Sequence, residues 1–154
     1  MARTSSHPLP REAACGRAPG KVILLGEHAA VYGRPAIAAA IDRWLQVELT
    51  AAADGAPPVV DDQRLALALV RAAQLVDANL SGLSVQIASD LPRAMGLGSS
   101  AAVSVALLRA FAARVARHLN AADASAFAFE VETIFHGTPS GVDNSAVAYG
   151  GVIG

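Results

Sequence analysis

Residues 91–102, with the sequence LPRAMGLGSSAA, are the stretch whose residue types point most clearly to chemistry. Gly96 and Gly98 lack a Cβ, so the backbone can turn sharply there and approach a ligand closely. Ser99 and Ser100 fall in the first turn of an expected helix, where backbone N–H groups lack intrahelical partners. Those donors and the helix dipole favour an anion such as a phosphate. The stretch therefore predicts a phosphate-binding loop, against the alternative of a glycine-rich helix start without a ligand.

This loop differs from two well-known phosphate-binding sequences. No lysine follows it, as a P-loop would require, and position 101 is alanine where the dinucleotide fingerprint has its third glycine. A serine hydroxyl at the helix start could still reach a Mg²⁺ ion that bridges phosphate oxygens. The residues thus favour phosphate binding of another type.

A second polar cluster surrounds a short apolar segment near the N-terminus. Lys21 is the only lysine in the chain, and Glu27 and His28 follow the expected strand 22–25. The plain alternative is that Lys21 extends along the strand to solvent and that Glu27 and His28 are simply solvated.

A third cluster lies in residues 132–144, with the sequence ETIFHGTPSGVDN. Glu132 and His136 are four residues apart, so they share one face of an expected helix. Asp143 is predicted to lie in the loop that follows. A helix-surface glutamate and a loop aspartate are ordinary features when considered alone.

Considered together, the three clusters supply what phosphoryl transfer to an alcohol requires: a phosphate cradle, one cation and two carboxylates. Ser100 and Glu132 offer the hard oxygen ligands that Mg²⁺ prefers. Asp143 could accept the proton of the attacking hydroxyl. A lysine near that carboxylate would stabilise charge that develops during the reaction.

Composition limits the class of protein. The chain has 154 residues, 53% of them hydrophobic and 16% charged, with a net charge of −1. These values favour one folded domain and give no electrostatic reason to expect a nucleic-acid or membrane partner. Cys15 is the only cysteine, which excludes an internal disulfide and disfavours structural zinc. With no signal-peptide pattern before Lys21 and no apolar run long enough to span a bilayer, we expect a cytoplasmic protein.

Periodicity predicts an α+β domain after a loose tail at residues 1–16. Alternating apolar residues in 44–49 and 83–88 predict strands, and Asp61 or Asp62 is a suitable N-cap for the first helix. The predicted elements are strands at 22–25, 44–49 and 83–88, and helices from 61 or 62 to 78, from 101 to 119 and from 123 to 135.

Three motifs, in residues 18–33, 96–102 and 136–144, resemble those of the GHMP kinases. That family comprises galacto-, homoserine, mevalonate and phosphomevalonate kinases. The resemblance is greatest to the mevalonate kinases, because Gly-Glu-His precedes Ala-Val-Tyr-Gly and Glu132 precedes the third motif by four residues.

The resemblance implies a fold and an activity. The fold would be a ribosomal protein S5 domain 2-like α+β domain with an unusual left-handed βαβ connection. Residues 17–154 would form the N-terminal, ATP-binding domain of a truncated kinase whose C-terminal domain is missing. The activity would be ATP-dependent phosphorylation of the mevalonate hydroxyl to 5-phosphomevalonate, a step of isoprenoid precursor synthesis.

The resemblance also implies roles for individual residues, with ATP and Mg²⁺ as cofactors. Asp143 would be the catalytic base, assisted by Lys21. Ser100 and Glu132 would hold Mg²⁺, while Glu27 and His28 would lie at the mevalonate site. The residues around the ATP phosphates would be Gly96, Leu97, Gly98, Ser99, Ser100 and Ala101.

Two alternatives remain open at this stage. One is a phosphomevalonate kinase or another small-alcohol kinase of the same family. The other is a non-catalytic fragment that binds a nucleotide or a partner chain. Besides the small-molecule substrate, the expected partners are a second copy in a homodimer or a complementing C-terminal chain.

Overall fold

A four-stranded antiparallel sheet provides the frame that positions the polar clusters. In this computed structural model the described residues are 13–27, 32–52, 57–92 and 95–154. The strands are β1 (Ala13–Leu25), β2 (Ile37–Ala51), β3 (Leu83–Ser89) and β4 (Val152–Ile153). The sheet confirms the predicted α+β class.

The middle strand β2 shows why these sequences form strands. Leu45, Val47 and Leu49 are buried and face the helices, while Gln46 and Glu48 lie on the other face. This period of two buries one side of the sheet, as the alternation predicts.

Strand β1 begins earlier than expected. The predicted tail, 1–16, overlaps it: residues 13–16 belong to the strand, so the prediction was wrong for them, and 1–12 lie outside the described residues. The inward residues of this segment, Ala14 and Gly16, are too small to give a visible hydrophobic pattern. A Cβ at Gly16 would collide with the backbone of Ala106 and Ala110 in the helix behind it, so the small residues allow close packing.

The helices are α1 (Gln63–Leu75), α2 (Ser99–Arg114), α3 (Ala121–Phe135) and α4 (Val142–Tyr149). Helices α2 and α4 pack on the strands, and α1 and α3 pack against α2. The α1 N-cap is Asp62, whose Oδ1 accepts hydrogen bonds from the backbone N–H groups of Arg64 and Leu65. Helix α2 is the central element, since it packs against β1, β2 and the other three helices.

Two helices end sooner than the periodicity predicts, for one shared reason. After α1 and α2 the chain adopts the left-handed conformation at Asp77 and Ala116, with φ of 60° and 53°. The next N–H group then bonds back to the helix, from Ala78 to the Ala73 carbonyl and from Arg117 to the Ala112 carbonyl. These are Schellman C-caps, with a non-glycine residue at the position that usually carries glycine.

Helix α4 corrects the predicted loop around Asp143. This aspartate lies in the first turn of the helix, two residues after the N-cap Gly141. The helix has eight residues, which is too short for periodicity to distinguish it clearly from a loop.

Strands β3 and β4 pair with the same edge of β2, opposite β1. Both are antiparallel to β2, so they run in the same direction and are joined through α2, α3 and α4. The left-handed sense of that connection stays a prediction.

Within the described part of the chain, no helix combines the length and apolar character needed to cross a membrane.

Candidate active site

The three polar clusters meet at one cavity of about 440 Å³. The end of β1 supplies one wall through Lys21, Ile23 and Glu27. The glycine loop supplies a second wall, and residues 132–144, from the end of α3 to the start of α4, supply the third. Residues far apart in the sequence are thus brought to a common solvent-accessible site.

Lys21 and Asp143 form an ion pair across this cavity. Lys21 Nζ lies 2.9 Å from Asp143 Oδ1, and the lysine side chain is 5% exposed whereas the aspartate side chain is 31% exposed. The lysine is therefore shielded on β1, while the carboxylate remains accessible from the cavity. An accessible carboxylate with a fixed cation beside it can accept a proton from a bound hydroxyl.

The glycine loop packs directly onto Lys21. The Lys21 backbone N–H donates to the Leu97 carbonyl at 2.9 Å, which joins β1 to the loop. Gly98 has a φ of 70°, and a Cβ there would lie 2.6 Å from Lys21 Cγ. Gly98 is thus required both for its backbone conformation and for the space that the lysine occupies.

The N-terminus of α2 opens into the same cavity. Its N-cap is Gly98, so no side chain caps the first backbone N–H groups, and Ser99 and Ser100 occupy the first turn. Both serines line the cavity. Uncapped N–H groups at the positive end of a sixteen-residue helix form a site suited to a phosphate group.

Glu132 lies at the inner end of the cavity and is 2% exposed. Burial raises its pKa to about 7, and the negative charge of Asp143 contributes to the rise. Hydrogen bonds from Ser100 and Ser104 and the positive charge of Lys21 act in the opposite direction. A buried carboxylate of this kind gains from a cation that replaces its lost solvation.

Ser100 adds a second hard oxygen, its hydroxyl, to the cavity that Glu132 lines. Ser104, four residues later on α2, links them: its Oγ lies 2.9 Å from the Ser100 carbonyl oxygen and 3.3 Å from Glu132 Oε1. Among the described residues no three His, Cys, Asp or Glu side chains gather into a metal cluster. Mg²⁺ carried by a nucleotide needs only one or two protein oxygens besides the phosphates, so Ser100 and Glu132 fit that donor set.

Two sets of hydrogen bonds fix α4, and with it Asp143. Asn144 is buried, and its Nδ2 donates to the Ser125 carbonyl and hydroxyl oxygens on α3. Arg109 of α2 donates to the Arg17 carbonyl of β1 at 2.7 Å and to the Ala148 carbonyl of α4 at 2.9 Å. Burial lowers the pKa of this guanidinium. Arg109 therefore connects the strand that carries Lys21 to the helix that carries Asp143.

Most of the described residues that were singled out from the sequence line this cavity. Glu27 lines it and is exposed, whereas Leu97 does not line it and contacts the site through its carbonyl, which accepts from the Lys21 backbone N–H. The side chain of Ala101 is fully buried in the core. His28 lies outside the described residues.

Sequence reasoning assigned no role to Ser104, Asn144 or His136, although all three contact site residues or line the cavity. Spacing had already placed His136 on the helix face of Glu132, and it could also have indicated Ser104, which follows Ser100 by four residues.

Comparisons with known proteins agree with this geometry. Residues 64–151 match the family model of the GHMP kinases N terminal domain. A mevalonate kinase of Thermococcus onnurineus is 34% identical over 88% of this chain and 49% of that protein. A mevalonate kinase of Aeropyrum pernix is 35% identical over 93% of this chain and 50% of that protein.

The fold is shared as well. The crystal structure of L. major mevalonate kinase in complex with R-mevalonate superposes with a TM-score of 0.82 at 33% identity, covering 94% of this chain and 50% of that one. The chain thus spans about half the length of the relatives it matches.

Proposed function

This chain belongs to the GHMP kinase family, matching its N-terminal domain, and from that premise we propose that it transfers the γ-phosphoryl group of ATP to the hydroxyl of mevalonate. The relatives named mevalonate kinase support this acceptor. The observation that carries the proposal is the Lys21–Asp143 ion pair, which faces the same cavity as the uncapped start of α2.

In this mechanism Asp143 accepts the proton of the acceptor hydroxyl as that oxygen attacks the γ-phosphorus. Lys21, held 2.9 Å from the carboxylate, stabilises the negative charge that spreads over the attacking and transferred oxygens. The backbone N–H groups of the glycine loop and of the first turn of α2 bind the phosphates. The residues in this role are Gly96, Leu97, Gly98, Ser99, Ser100 and Ala101, the last through its backbone N–H alone because its side chain lies in the core.

We assign Ser100 and Glu132 to the magnesium ion that accompanies ATP. When bound, the ion neutralises phosphate charge and aligns the phosphoryl group. Glu132 contributes a carboxylate that the fold has already removed from water, and Ser100 contributes a neutral oxygen at the helix start. These two residues can therefore hold the cation without a dedicated cluster of carboxylates.

Glu27 and His28 are proposed to contact the acceptor. Glu27 is exposed at the cavity, next to the strand that carries Lys21. The L. major relative is described in complex with R-mevalonate, which supports a small branched hydroxy acid as the acceptor. A phosphorylated or larger alcohol is the alternative substrate.

The test is ADP release by the intact protein with Mg·ATP and a panel of acceptors. We expect mevalonate to raise ADP release, and phosphomevalonate, homoserine and galactose to leave it at the background rate. Greater ADP release with phosphomevalonate than with mevalonate would indicate phosphomevalonate kinase activity instead. ATP binding without release stimulated by any acceptor would contradict the kinase proposal.

A second function, binding of a partner chain, is favoured by exposed apolar residues at one corner of the sheet. Leu24 and Leu25 at the end of β1, Ile37 at the start of β2 and Val152 of β4 are 57%, 66%, 37% and 69% exposed. The register pairs Leu25 with Ile37, and it pairs Val152 with Ala39, two residues after Ile37 on β2. Such a patch suits a complementing C-terminal chain or a second copy, and sedimentation of the protein alone and with that chain would distinguish them.

A further inference from the structure

His136 is a titratable residue at the cavity to which the proposed reaction gives no role. It lies at the C-cap of α3, where its backbone N–H donates to the Glu132 carbonyl at 2.9 Å. Its side chain lines the cavity, and its Nε2 lies 2.9 Å from Ser100 Oγ. The helix end thus directs two side chains, Glu132 and His136, towards the same serine.

The hydrogen-bonding capacity of the Ser100 hydroxyl indicates which partner donates in the contact between Ser100 and His136. A hydroxyl has one proton to donate and two lone pairs, and a cation binds to a lone pair. For Ser100 to offer a lone pair to Mg²⁺, its proton must be donated elsewhere. Neutral imidazole accepts a hydrogen bond at whichever ring nitrogen carries no proton, and Nε2 is the nitrogen in contact.

Glu132 is the competing acceptor, because its carboxylate lines the same cavity and the Ser100 hydroxyl acts to lower its pKa. Donation to Glu132 would occupy a carboxylate oxygen that is proposed to bind the same ion. Donation to His136 leaves the carboxylate and the serine lone pairs available together. The Ser104 hydroxyl contacts the Ser100 carbonyl oxygen and Glu132 Oε1, and neither of these contacts uses the proton of the Ser100 hydroxyl.

We propose that His136 is a positioning residue that accepts the Ser100 proton at Nε2 and thereby turns the serine oxygen towards the nucleotide-bound cation. The proposal rests on the proposed function only for the identity of the ligand, Mg·ATP. It implies that the neutral ring carries its proton on Nδ1. Partners of this kind orient metal ligands without touching the metal.

The first test needs no ligand and no catalysis. Two-dimensional ¹H–¹⁵N spectra of the histidine rings at pH 8, with His136 assigned by its absence in His136→Gln, report which ring nitrogen is protonated. We expect an unprotonated, hydrogen-bonded Nε2 that changes its shift in Ser100→Ala. A ring protonated at Nε2 would overturn the proposal.

The second test separates metal-dependent binding from binding in general. Calorimetry on the intact protein gives the dissociation constants of Mg·ATP and of ATP in EDTA. For His136→Leu we expect the Mg·ATP constant to rise about 10- to 100-fold and the metal-free constant to stay unchanged. His136→Gln, whose amide oxygen can accept the same proton, should recover most of the affinity.

Two controls complete the design. His118→Leu changes an exposed histidine beyond the far end of α2 and should have no effect. In the Ser100→Ala background, His136→Leu should add no further loss, because the imidazole acts through the serine. Two results would show that His136 has a merely structural role and would overturn the proposal. One is an equal loss of affinity for Mg·ATP and for metal-free ATP in His136→Leu. The other is a loss caused by His136→Leu that is as large in the Ser100→Ala background as in the wild type. These results stand whether or not mevalonate proves to be the acceptor.

Discussion

Gly98→Ala tests how closely the glycine loop and Lys21 depend on each other. The chain supplies a matched control in Gly96→Ala, because φ is 71° at Gly96 and 70° at Gly98. A Cβ at Gly96 would meet nothing within 4 Å, whereas a Cβ at Gly98 would lie 2.6 Å from Lys21 Cγ and 3.0 Å from Cε. The two substitutions share backbone strain and differ in the contact with the lysine.

The structure gives the size of the expected effect. An alanine in the left-handed conformation costs roughly 1–2 kcal/mol, which applies to both variants. Carbon atoms normally approach to about 3.5–4.0 Å, so the new Cβ in Gly98→Ala is about 1 Å too close to Lys21. The lysine cannot move aside easily, because it is 4% exposed, its N–H is bonded to Leu97 and its Nζ to Asp143. Overpacking of this kind adds about 1–3 kcal/mol.

Urea unfolding and acceptor-dependent ADP release should be measured on both variants. We expect Gly96→Ala to lose about 1–2 kcal/mol of unfolding free energy. Gly98→Ala should lose about 2–5 kcal/mol. A shift of Lys21 by about 1 Å should also lower kcat of Gly98→Ala by up to about 100-fold, beyond any change that Gly96→Ala causes in the phosphate loop. Equal losses of stability and kcat in the two variants would refute the argument that Gly98 makes room for Lys21.

Three further predictions concern stability. The pKa of Glu132 is about 7 in the folded protein and 4.5 for the free group, so the unfolded chain loses this proton first as pH rises. The unfolding free energy should therefore fall by about 3 kcal/mol between pH 4.5 and 7 because of Glu132. Unfolding curves of the wild type and Glu132→Gln should therefore diverge across that window, and a constant difference would contradict the assignment. Ala116→Gly should raise the unfolding free energy by about 1 kcal/mol, because glycine relieves the positive φ at the residue that follows the C-cap of α2. A loss of stability in urea would contradict this. Gly16→Ala should lower the thermal midpoint markedly, because the new methyl group meets the backbone of Ala106 and Ala110, and an unchanged midpoint would show that β1 can move away from α2.

Local signals in the sequence were sufficient for much of the fold. The alternation in β2 and β3, the Asp62 cap and the glycine loop each depend on residues close together in the chain, and the structure confirms these elements. The ends of α1 and α2 were harder to predict from the sequence, because the left-handed residues that follow them, Asp77 and Ala116, are not the glycine that normally marks such a cap.

Other features depend on packing between distant residues. The first part of β1 is a strand because small residues let it approach α2 closely, which no periodicity records. The short helix α4 is held in place by Asn144 and by the bond from Arg109 to Ala148. For the same reason residue spacing alone could not predict that Asp143 meets Lys21, although the family resemblance indicated it.

The most direct test of the account is the turnover number of Asp143→Asn with Mg·ATP and mevalonate, measured as ADP release by the intact protein. Asp123→Asn is the matched control, since Asp123 occupies the first turn of α3 as Asp143 occupies that of α4. We expect kcat to fall by about 10²- to 10⁴-fold for Asp143→Asn, with the dissociation constant of Mg·ATP nearly unchanged and the control fully active. A kcat close to that of the wild type would show that Asp143 is not the base and would contradict the proposed mechanism.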